Sequence, residues 1–578
     1  MLRTHTCGDL RKENAKESVV LCGWVQSVRD LGAMVFLSLR DRYGITQVVF
    51  DRSLISGNLH RESVVKVNGK VSLRPEGMRN ASMETGDIEV LAEKIEILSE
   101  ADLLPVEVSD EKVANEEIRL KYRYIDLRRQ SLQSNLYMRH KVAQAVRKDL
   151  SNQEFIEIQT PLLVRSTPEG ARDFVVPSRN SPGKFYALPQ SPQLYKQLLM
   201  ISGFDRYFQL APCFRDEDAR ADRQLVHTQI DLEMSFCSEE DIYNVIESVM
   251  KAAFCEGIGI DIPTPFYKMT YEDAMNKYGS DKPDLRFDMK MSDLTDLLKD
   301  TEFSVFKDTA QGGGRIRGLV AKGCASFTRK EVDELIDLAK IYKAKGLVSF
   351  KMQNGELISN ISKYISPEIL NELIKRLSCE ENDLILITSD TKEISAVALG
   401  QIRKFLGRKL DLIDKDSYKF LWVTDFPMFE WNEEAQKWDA MHHIFTMPRI
   451  EDVDKLESDP GSVLGRLYDL VLNGSELGSG SIRISQPELQ KRVMNVIGHD
   501  YEDAEKKFGF LLKAYNYGAP THGGFAVGFD RLIAVMLGLE NLRDVIAFPQ
   551  SASGMSLVDD CPNEIEENQL KEIHIKTI

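Results

Sequence analysis

Residues 227–236 alternate between two kinds of side chain. The odd positions are polar and the even positions are mostly apolar. The polar set is His227, Gln229, Asp231 and Glu233, and the other set is Thr228, Ile230, Leu232, Met234 and Phe236. Because successive side chains of a β-strand point to opposite faces, this alternation predicts a strand with one face on a core and a polar row on the other.

The segment before this strand predicts its antiparallel partner. Residues 207–215 (YFQLAPCFR) have strand character, and residues 216–223 (DEDARADR) predict a charged loop between the two strands. Arg215 and Glu217 stand two positions apart and are expected on one face. The hairpin presents either a charged, ligand-sized face or one solvated side, and its pattern alone leaves both interpretations open.

A second hairpin is predicted around Asn473-Gly474, because Asn-Gly is the strongest short turn signal. If these two residues form the loop, Val471 faces Glu476, and Asp469 becomes a diagonal neighbour of Glu476 at roughly 7–8 Å. Two carboxylates so close repel each other unless a cation lies between them, which suits Mg²⁺ held jointly with phosphates. Arg483 adds a cation that can bind a carboxylate in bidentate fashion.

A glycine-rich strand, HGGFAVGFDR (residues 522–531), leads into an apolar helix that Asp530 and Arg531 open. Its glycines at 523, 524 and 528 are expected to let the backbone approach a ligand closely.

The first hundred residues predict about five short strands separated by glycine turns. That number suits a small barrel, either an OB-fold, which often binds single-stranded nucleic acid, or an SH3-like barrel.

The net charge of −16 argues, taken alone, against a nucleic-acid partner. Residues 119–148, however, hold nine Lys and Arg against one acid, Asp126, a local balance of +8. This basic stretch predicts either a surface that follows phosphates or a solvated helix face.

Residues 288–415 predict an α+β insertion with its own small core. Its Gly312–Gly314 run lacks the following Lys-Ser/Thr of a phosphate loop and is interpreted as a turn. The start lacks an apolar signal segment, the longest apolar run is broken by Asp530 and Arg531, and the eight cysteines are scattered singly. We therefore expect a cytoplasmic protein with reduced thiols and no membrane contact.

Three segments resemble motifs 1, 2 and 3 of the class II aminoacyl-tRNA synthetases. They are FIEIQTPLL, CFRDED with QIDLEMSF, and GGFAVGFDR. STPEGARDF, QSPQLYKQ, HHIFT, NGSELGSGSIRI and AFPQ are similar to the bacterial-type aspartyl-tRNA synthetases in particular, and the likeness covers essentially the whole chain. It implies an α+β multidomain fold with an N-terminal OB-fold β-barrel, an antiparallel-sheet catalytic domain and an α+β insertion domain.

The resemblance also implies domain boundaries. They are 1–107 for the anticodon-binding barrel, 108–135 for a basic hinge, 136–287 and 416–556 for the two parts of the catalytic domain, 288–415 for the insertion and 557–578 for a tail.

The implied reaction is activation of L-aspartate by ATP to aspartyl-adenylate, followed by transfer of the aspartyl group to the 3′-hydroxyl of tRNA(Asp). Arg215 would hold the α-phosphate, Glu217 the adenine amino group and Arg531 the γ-phosphate, and these three are the expected catalytic residues. Asp469 and Glu476 would hold Mg²⁺. The whole expected ATP set is Arg215, Asp216, Glu217, Gln224, His227, Glu476, Gly528, Phe529, Asp530 and Arg531.

For aspartate, the resemblance implies that Lys196 and Arg483 bind the side-chain carboxylate. Other residues of the set would surround the ammonium group of aspartate or support the residues that bind it. The mobile HHIFT segment would close over the bound aspartate. The whole expected aspartate set is Glu169, Gln193, Lys196, Arg215, Asp231, Glu233, His442 and Arg483. Asparagine would leave buried cations unpaired, which predicts discrimination of roughly 10⁴–10⁵.

In the barrel, Phe36 would stack on an anticodon base, and Arg29 and Gln47 would read base edges. The basic stretch then becomes a hinge beside the tRNA. Motif 1 implies a homodimer with Pro161 at its interface, and neither DNA nor a membrane is an expected partner.

The chain departs from the family at several positions. Leu225-Val226-His227 replaces the usual Pro-Glu-Phe, whose Phe stacks on adenine, and we expect the His227 imidazole to stack instead. Ser479 stands for a usual Gly, Ile444 for a Pro and Gln550 for a Lys, and none is expected to abolish the chemistry.

The sequence disfavours two alternative functions. A relative charging asparagine or lysine is disfavoured by the cations Lys196 and Arg483. A non-catalytic paralogue would be expected to lose Arg215, Glu476 or Arg531, all of which are present. Charging of the asparagine tRNA as well stays open, although Leu31, where some relaxed relatives carry His, favours strict discrimination.

Overall fold

The structure is a computed structural model that describes residues 2–55, 59–167, 171–498 and 501–577. The chain divides into two compact units, Met1–Ser134 and Asn135–Ile578. Among the described helices, none combines the length and apolar character needed to cross a lipid bilayer.

Unit 1 contains a closed five-stranded barrel in the order β1-β2-β3-β5-β4. Its strands are β1 (Ser18–Asp30), β2 (Met34–Asp41), β3 (Gly44–Asp51), β4 (Val64–Leu73) and β5 (Ile88–Ser99). In β2 the odd-numbered residues are buried and the even-numbered ones lie outward, so the alternation of the sequence fills the barrel with Val35, Leu37 and Leu39. A barrel closed in this order is an OB-fold, which decides against the SH3-like alternative.

The basic stretch forms helices α1 (Glu116–Lys121), α2 (Arg123–Asp126) and most of a third helix. Part of its positive charge is directed inward. Arg123 Nη1 lies 2.9 Å from Asp126 Oδ2, Arg129 Nε lies 2.7 Å from Asp126 Oδ1, and both arginines and Asp126 are buried. Arg119 also reaches Asp126, at 3.1 Å. These three of the nine cations are therefore not available to a phosphate backbone.

Unit 2 holds the remaining strands and helices, except that α3 begins at Gln130 in unit 1. The helices are α3 (Gln130–Asn152), α4 (Gln193–Ile201), α5 (Glu239–Ile258), α6 (Tyr271–Tyr278), α7 (Thr295–Leu298), α8 (Ser304–Gln311), α9 (Arg329–Ile341), α10 (Pro367–Leu377), α11 (Lys392–Lys409), α12 (Pro487–Val496), α13 (Tyr501–Tyr515), α14 (Phe529–Met536) and α15 (Glu567–Glu572). The strands are β6 (Ile156–Glu157), β7 (Val175–Pro177), β8 (Phe185–Ala187), β9 (Arg206–Phe214), β10 (Val226–Ser235), β11 (Tyr267–Thr270), β12 (Ser292–Asp293), β13 (Arg315–Ala321), β14 (Val348–Gln353), β15 (Glu356–Ile358), β16 (Leu384–Asp390), β17 (Phe420–Thr424), β18 (Phe429–Asn432), β19 (Lys437–Ala440), β20 (Leu467–Leu472), β21 (Ser475–Ile482) and β22 (His522–Gly528).

The main sheet of unit 2 has eight strands in the order β11-β17-β20-β21-β22-β10-β9-β6. Its pairs are antiparallel except at the two edges, where β11 pairs with β17 and β6 with β9 in parallel. The predicted hairpin of β9 and β10 is present. One detail of the prediction was wrong: Phe236 lies beyond the end of β10, 76% exposed and with φ +54°. In the FIEIQTPLL segment only Ile156–Glu157 forms a strand, β6.

One face of this sheet carries the main core. Phe254 of α5 stacks edge-on against Tyr418 and Phe420, and Trp422 packs against Tyr468 and Phe525. The indole Nε1 of Trp422 donates to Glu247 Oε1 at 2.9 Å, so the one polar atom of this ring is satisfied inside the core. The opposite face carries the polar side chains, beside a smaller apolar cluster that includes Leu421, Val423 and Val471.

The insertion forms a five-stranded sheet in the order β12-β13-β16-β14-β15. Helices α9 and α11 cover one core of this sheet, and helices α7, α8 and α10 cover another. The Gly312–Gly314 run joins α8 to β13, with Gly313 at φ +76°, which confirms the interpretation as a turn.

Replacing Phe254 by Ala tests the main core. Phe254 is fully buried, so we expect F254A to lower the free energy of unfolding of unit 2 by about 3–5 kcal/mol, measured by chemical denaturation. Phe236→Ala removes the same ring from an exposed position and is the matched control, with a change within about 0.5 kcal/mol. Equal effects of the two substitutions would contradict this assignment of the core.

Candidate active site

The polar face of the main sheet is built from strands β20, β21, β22 and β10. Directly paired residues of neighbouring strands point to the same face. The pairs Asp469–Ser479, Ser479–Ala526 and Ala526–Asp231 therefore form one row across four strands. A second row contains Ser481, Gly524 and Glu233. The alternation of residues 227–235 thus places its polar side chains beside those of the second hairpin.

The glycines of β22 provide space for protein side chains. A Cβ on Gly524 would lie 1.9 Å from Glu233 Oε2, and one on Gly523 would lie 2.6 Å from Ile482 Cδ1. These two glycines therefore let neighbouring parts of the sheet pack closely, and the expected close approach of a ligand to them stays a prediction. At Gly528 the nearest atoms to such a Cβ are 3.5 Å away.

Two cavities open on this polar face. The inner cavity, of about 140 Å³, is lined by Gln193, Lys196, Asp231 and Arg483 among others. The outer cavity, of about 610 Å³, is lined by Glu217, His227, Glu476, Gly528 and Arg531 among others. Both are lined by Arg215, Gln229, Ser479 and Ala526, so they meet at these residues. A small ligand in the inner cavity would touch a larger one in the outer cavity there.

Four charged side chains form a buried network at the inner cavity. Lys196 Nζ lies 2.9 Å from Asp231 Oδ2 and 3.1 Å from Glu233 Oε2. Arg483 donates to Glu233 through Nε at 2.9 Å and Nη2 at 3.2 Å, and through Nη1 to Ser481 Oγ at 2.6 Å. Each of the four is at most 5% exposed. The two predicted cations are thus already paired by two carboxylates of β10.

The two carboxylates differ in their protonation behaviour. Burial raises the pKa of Asp231 to about 6, although Lys196 opposes the shift. Burial acts in the same direction on Glu233, but Arg483 and Lys196 outweigh it and lower the pKa of that carboxyl to about 2. Asp231 Oδ1 is buried and accepts no hydrogen bond from the described residues. Asp231 therefore lines the cavity with an acceptor ready for a ligand's cationic group.

Other polar atoms near the junction also lack partners among the described residues. Arg215 Nε and Gln193 Nε2 are buried and make no hydrogen bond there. An unpaired buried donor costs free energy, and a bound ligand oxygen removes that cost. His442 lines the inner cavity and is exposed, and its ring meets Phe426 edge-on at 5.1 Å.

The outer cavity carries the second group of predicted residues. Glu217 is ion-paired with Arg223 across the charged loop. Arg531 Nη1 donates to the carbonyl oxygen of Glu476 at 2.7 Å. Burial and then the nearby Arg215 and Arg531 lower the pKa of His227 to about 4, so its imidazole is neutral at pH 7.

Two of the residues expected to bind ATP make hydrogen bonds or ion pairs to other residues of the protein. Asp530 binds Arg139 and accepts a hydrogen bond from the Thr228 amide at 2.8 Å. Gln224 Oε1 accepts from the amide of Gln550 at 3.1 Å.

Two further predicted residues lie away from both cavities. The Phe529 ring is buried in the core, and Asp216 lies beside Arg172. Glu233 likewise does not line the inner cavity but supports its cations. Glu169 lies outside the described residues.

The Asn473-Gly474 turn forms as predicted, with φ of +54° and +79° and with Val471 opposite Glu476. A β-bulge follows at residue 477, which the sequence did not predict. Asp469 is buried, its Oδ1 has no partner among the described residues, and burial followed by the charge of Glu476 raises its pKa well above the usual range. Within the described ranges, no cluster of three or more His, Cys, Asp and Glu can hold a metal ion.

The structure adds residues that the sequence did not single out. Lys282 and Lys404 line the outer cavity, the latter from helix α11 of the insertion. Behind the inner cavity, Gln197 Oε1 accepts from Tyr515 at 2.8 Å and lies 3.2 Å from His522 Nε2. Gln197 and His522 lie inside quoted motifs, but nothing in the sequence connects Lys404 to a site formed by strands distant in the chain.

In unit 1, the three predicted anticodon residues share the outer face of the barrel. Arg29 pairs directly with Phe36 across β1 and β2, and Ser38, two residues from Phe36, pairs with Gln47. Phe36 is half-buried on this face and is not part of the barrel core. Gln47 Nε2 donates to Glu89 Oε2 at 2.8 Å.

Comparisons with known proteins give one consistent family. The family described as tRNA synthetases class II (D, K and N) matches residues 115–552, and the OB-fold nucleic acid binding domain matches residues 19–98. The aspartate–tRNA(Asp/Asn) ligase of Caldanaerobacter subterraneus subsp. tengcongensis is 49% identical over 99% of this chain and 98% of its own. The aspartate–tRNA ligase of Ruminiclostridium cellulolyticum is 48% identical over 99% and 98%. The chain belongs to the aspartate–tRNA ligase family of class II aminoacyl-tRNA synthetases.

Solved structures share the fold of this synthetase. The asparaginyl-tRNA synthetase of Pyrococcus horikoshii complexed with asparaginyl-adenylate matches with a TM-score of 0.59 and 19% identity, over 95% of this chain and 99% of the other. A putative aspartyl-tRNA synthetase from Leishmania major Friedlin matches with a TM-score of 0.57 and 19% identity, over 95% and 94%. At this identity the match concerns the fold alone.

The buried network of this synthetase gives a test by substitution. Glu233→Gln leaves Arg483 and Lys196 without their shared carboxylate, so we expect a loss of about 3–5 kcal/mol in unfolding free energy at pH 7. Glu240→Gln, at an exposed ion pair with Lys268, is the matched control and should cost less than about 1 kcal/mol.

The pH dependence of this loss follows from the lowered pKa of Glu233, about 2 in the fold against about 4.3 unfolded. The contribution of the ionised Glu233 carboxylate to the free energy of unfolding is complete above about pH 4.3 and is lost as pH falls toward 2. Denaturation curves of both proteins at several pH values should therefore converge in acid. A difference independent of pH would contradict the assignment.

Proposed function

We propose that this synthetase activates L-aspartate with ATP in the joined cavities and transfers the aspartyl group to the 3′-hydroxyl of tRNA(Asp). The observation that carries the proposal is the contact of a small cavity, lined by both cations and acids, with a nucleotide-sized one at Arg215. In the first step the α-carboxylate of aspartate attacks the α-phosphorus and pyrophosphate leaves. In the second step the tRNA hydroxyl attacks the aspartyl carbonyl and AMP leaves.

Selection of aspartate is assigned to the donors that the buried network leaves free. A guanidinium has five N–H donors, and three hydrogen bonds use Nε, Nη1 and Nη2 of Arg483, which leaves two. Lys196 keeps one of three donors beyond its two carboxylate contacts. A carboxylate accepts these donors, whereas the amide nitrogen of asparagine would face them with further donors. Asp231, with its unpaired Oδ1, takes the ammonium group.

ATP is assigned to the outer cavity. Arg215, at the junction, neutralises the α-phosphate where the new bond forms, and fixed cations of this kind favour phosphoryl transfer through positioning and charge. Arg531 is assigned to the γ-phosphate and Glu217 to the adenine amino group. The neutral His227 ring is assigned to stacking on adenine. Asp530 and Gln224 act as supports of the wall through their protein partners.

Mg²⁺ fits the pair of Asp469 and Glu476. A buried Asp469 oxygen that has no partner in the part of the chain that the structure describes, beside a second carboxylate, is a donor set that a hard cation satisfies. When bound, the ion would supply neutralisation of the phosphate charge.

The outer face of the barrel is proposed to bind the anticodon, with Phe36 as the stacking platform and Arg29 and Gln47 as readers of base edges. We also propose a cytoplasmic homodimer. Support for the dimer comes from exposed apolar side chains around the edge strand β6, namely Ile156, Leu162 and Leu163. The domain boundaries set out from the sequence remain proposals.

A second candidate is charging of the asparagine tRNA as well. It is favoured by several relatives that are named for both tRNAs, including the Treponema denticola aspartate–tRNA(Asp/Asn) ligase at 49% identity over 100% of this chain. Leu31 at the barrel, 66% exposed, favours strict discrimination instead.

The proposed function is tested by charging purified aspartate and asparagine tRNAs with labelled aspartate, ATP and Mg²⁺, with labelled asparagine and lysine as controls. We expect aspartate on the aspartate tRNA. Charging of both tRNAs establishes the second candidate, and the absence of charging on either tRNA overturns the proposal.

Replacing His227 by Phe tests the stacking assignment. A Phe ring supplies the same flat surface without a titratable group, so we expect H227F to keep or lower the KM for ATP in aspartate-dependent pyrophosphate exchange. H227A, which removes the ring, should raise it by about tenfold. A clearly raised KM in H227F would speak against stacking.

The barrel assignment is tested at Phe36. Base stacking on an aromatic side chain contributes about 1–3 kcal/mol, so we expect F36A to weaken tRNA binding by about tenfold. F36Y keeps the ring and should bind as the wild type does. Pyrophosphate exchange, which needs no tRNA, should be equal in all three proteins. Unchanged tRNA affinity in F36A would refute the assignment.

A further inference from the structure

One wall of the outer cavity is shared by the insertion and the segment just before it. Lys282, in the segment that follows helix α6, and Lys404, on helix α11, both line this cavity together with Glu476 and Arg531. No residue of the insertion was among those expected from the sequence. Two flexible cations on one wall of a nucleotide-sized cavity raise the question of what anion they contact.

Helix α11 is held against helix α6 by direct backbone contact. A Cβ on Gly400 would lie 2.6 Å from the carbonyl oxygen of Tyr278, and one on Gly279 would lie 2.1 Å from that of Ala396. Gly279 has φ +66°, a backbone conformation that favours glycine. The two glycines therefore fix α11 at a close distance that any side chain would prevent.

Arg403, the neighbour of Lys404, joins the same helix to the segment after α6. It is buried and donates to the carbonyl oxygens of Met289 at 2.7 Å and of Asp284 and Phe287 at 2.9 Å each. Its guanidinium lies 3.9 Å from the centroid of the Phe287 ring. These contacts fix the position of Lys404 at the cavity.

The same segment reaches the turn that carries Glu476. A Cβ on Gly474 would lie 3.0 Å from the Asp284 Cβ, so the segment packs directly on the turn between β20 and β21. Two residues earlier, Lys282 Nζ lies 3.7 Å from Glu476 Oε2 and 3.6 Å from Asp281 Oδ2. The segment just before the insertion thus contacts the part of the sheet that faces the phosphates in the proposed function, and Arg403 of the insertion is hydrogen-bonded to this segment.

The two lysines differ in their partners. Lys282 is shared between two carboxylates, whereas Lys404 forms no ion pair or side-chain hydrogen bond with any described residue. Lys282 and Arg408 act on Lys404 as neighbouring positive charges, and Asp284 acts as a negative one. An ammonium group placed among cations at a cavity wall is suited to an anionic ligand.

We propose that Lys404, together with Lys282, binds the β- and γ-phosphates of ATP and the pyrophosphate released from it, which makes the insertion part of the active site. The inference rests on the proposed function. As the aspartate oxygen bonds to the α-phosphorus, the bond from that phosphorus to the bridging oxygen of the β-phosphate breaks, and its electron pair leaves with pyrophosphate. The two ammonium groups neutralise the charge gained by this leaving group.

Lys404→Gln tests the inference in the full-length protein. In aspartate-dependent exchange of labelled pyrophosphate into ATP, we expect K404Q to raise the KM for pyrophosphate and for ATP by about tenfold. The KM for aspartate should be unchanged. K404R keeps the charge and should stay near the wild type. Lys392→Gln removes a lysine of the same helix whose exposed side chain pairs with Glu272, and serves as the matched control.

A second measurement separates this inference from the proposed function. Calorimetric titration of wild type and K404Q with inorganic pyrophosphate and Mg²⁺ reports binding without any reaction. If the wild type catalyses pyrophosphate exchange and K404Q equals K392Q in every KM, the inference is overturned and the proposed function is left intact. If pyrophosphate binding depends on Lys404 but the wild type catalyses no exchange, the proposed function is overturned and the pyrophosphate site is supported. Pyrophosphate affinity equal in wild type and K404Q also overturns the inference.

Discussion

The buried network of Lys196, Asp231, Glu233 and Arg483 is the interaction on which the active site depends. Four charges removed from water are tolerated only when their pairing is nearly complete, because each unpaired one would cost several kcal/mol. The sheet is shaped around this requirement: Gly524 has no side chain because Glu233 occupies that space. The network then leaves a few donors and one acceptor, Asp231 Oδ1, toward the cavity.

The network also bears on why the proposed chemistry is assigned to Arg215. The inner cavity is small and lined by ions, the outer cavity is nucleotide-sized, and Arg215 is one of the residues that line both. An amino acid held by its side chain and ammonium group has its α-carboxylate left to point at the junction. Catalysis in this arrangement comes from position and charge, with no covalent nucleophile from the protein.

Much of this arrangement could be predicted from local sequence patterns. Period-two alternation predicted the polar face of β10, and Asn473-Gly474 predicted the turn and the pairing of Val471 with Glu476. The bulge at residue 477 could not be predicted, because it depends on packing between strands. The burial of Arg123 and Arg129 could not be predicted either, because the sequence of a basic stretch does not show that an acid within it, Asp126, is buried and pairs with them. The position of Lys404 at the outer cavity could not be predicted either, because it depends on how helix α11 packs in the fold.

The central claim is that the donors left free by Lys196 and Arg483 select a carboxylate. The most direct measurement compares kcat/KM for aspartate and for asparagine in pyrophosphate exchange by the wild-type protein. Sites built around buried polar partners reject the wrong analogue by roughly 10⁴–10⁵, and we predict a preference for aspartate of that order. A ratio within about tenfold would mean that the buried network does not determine the substrate.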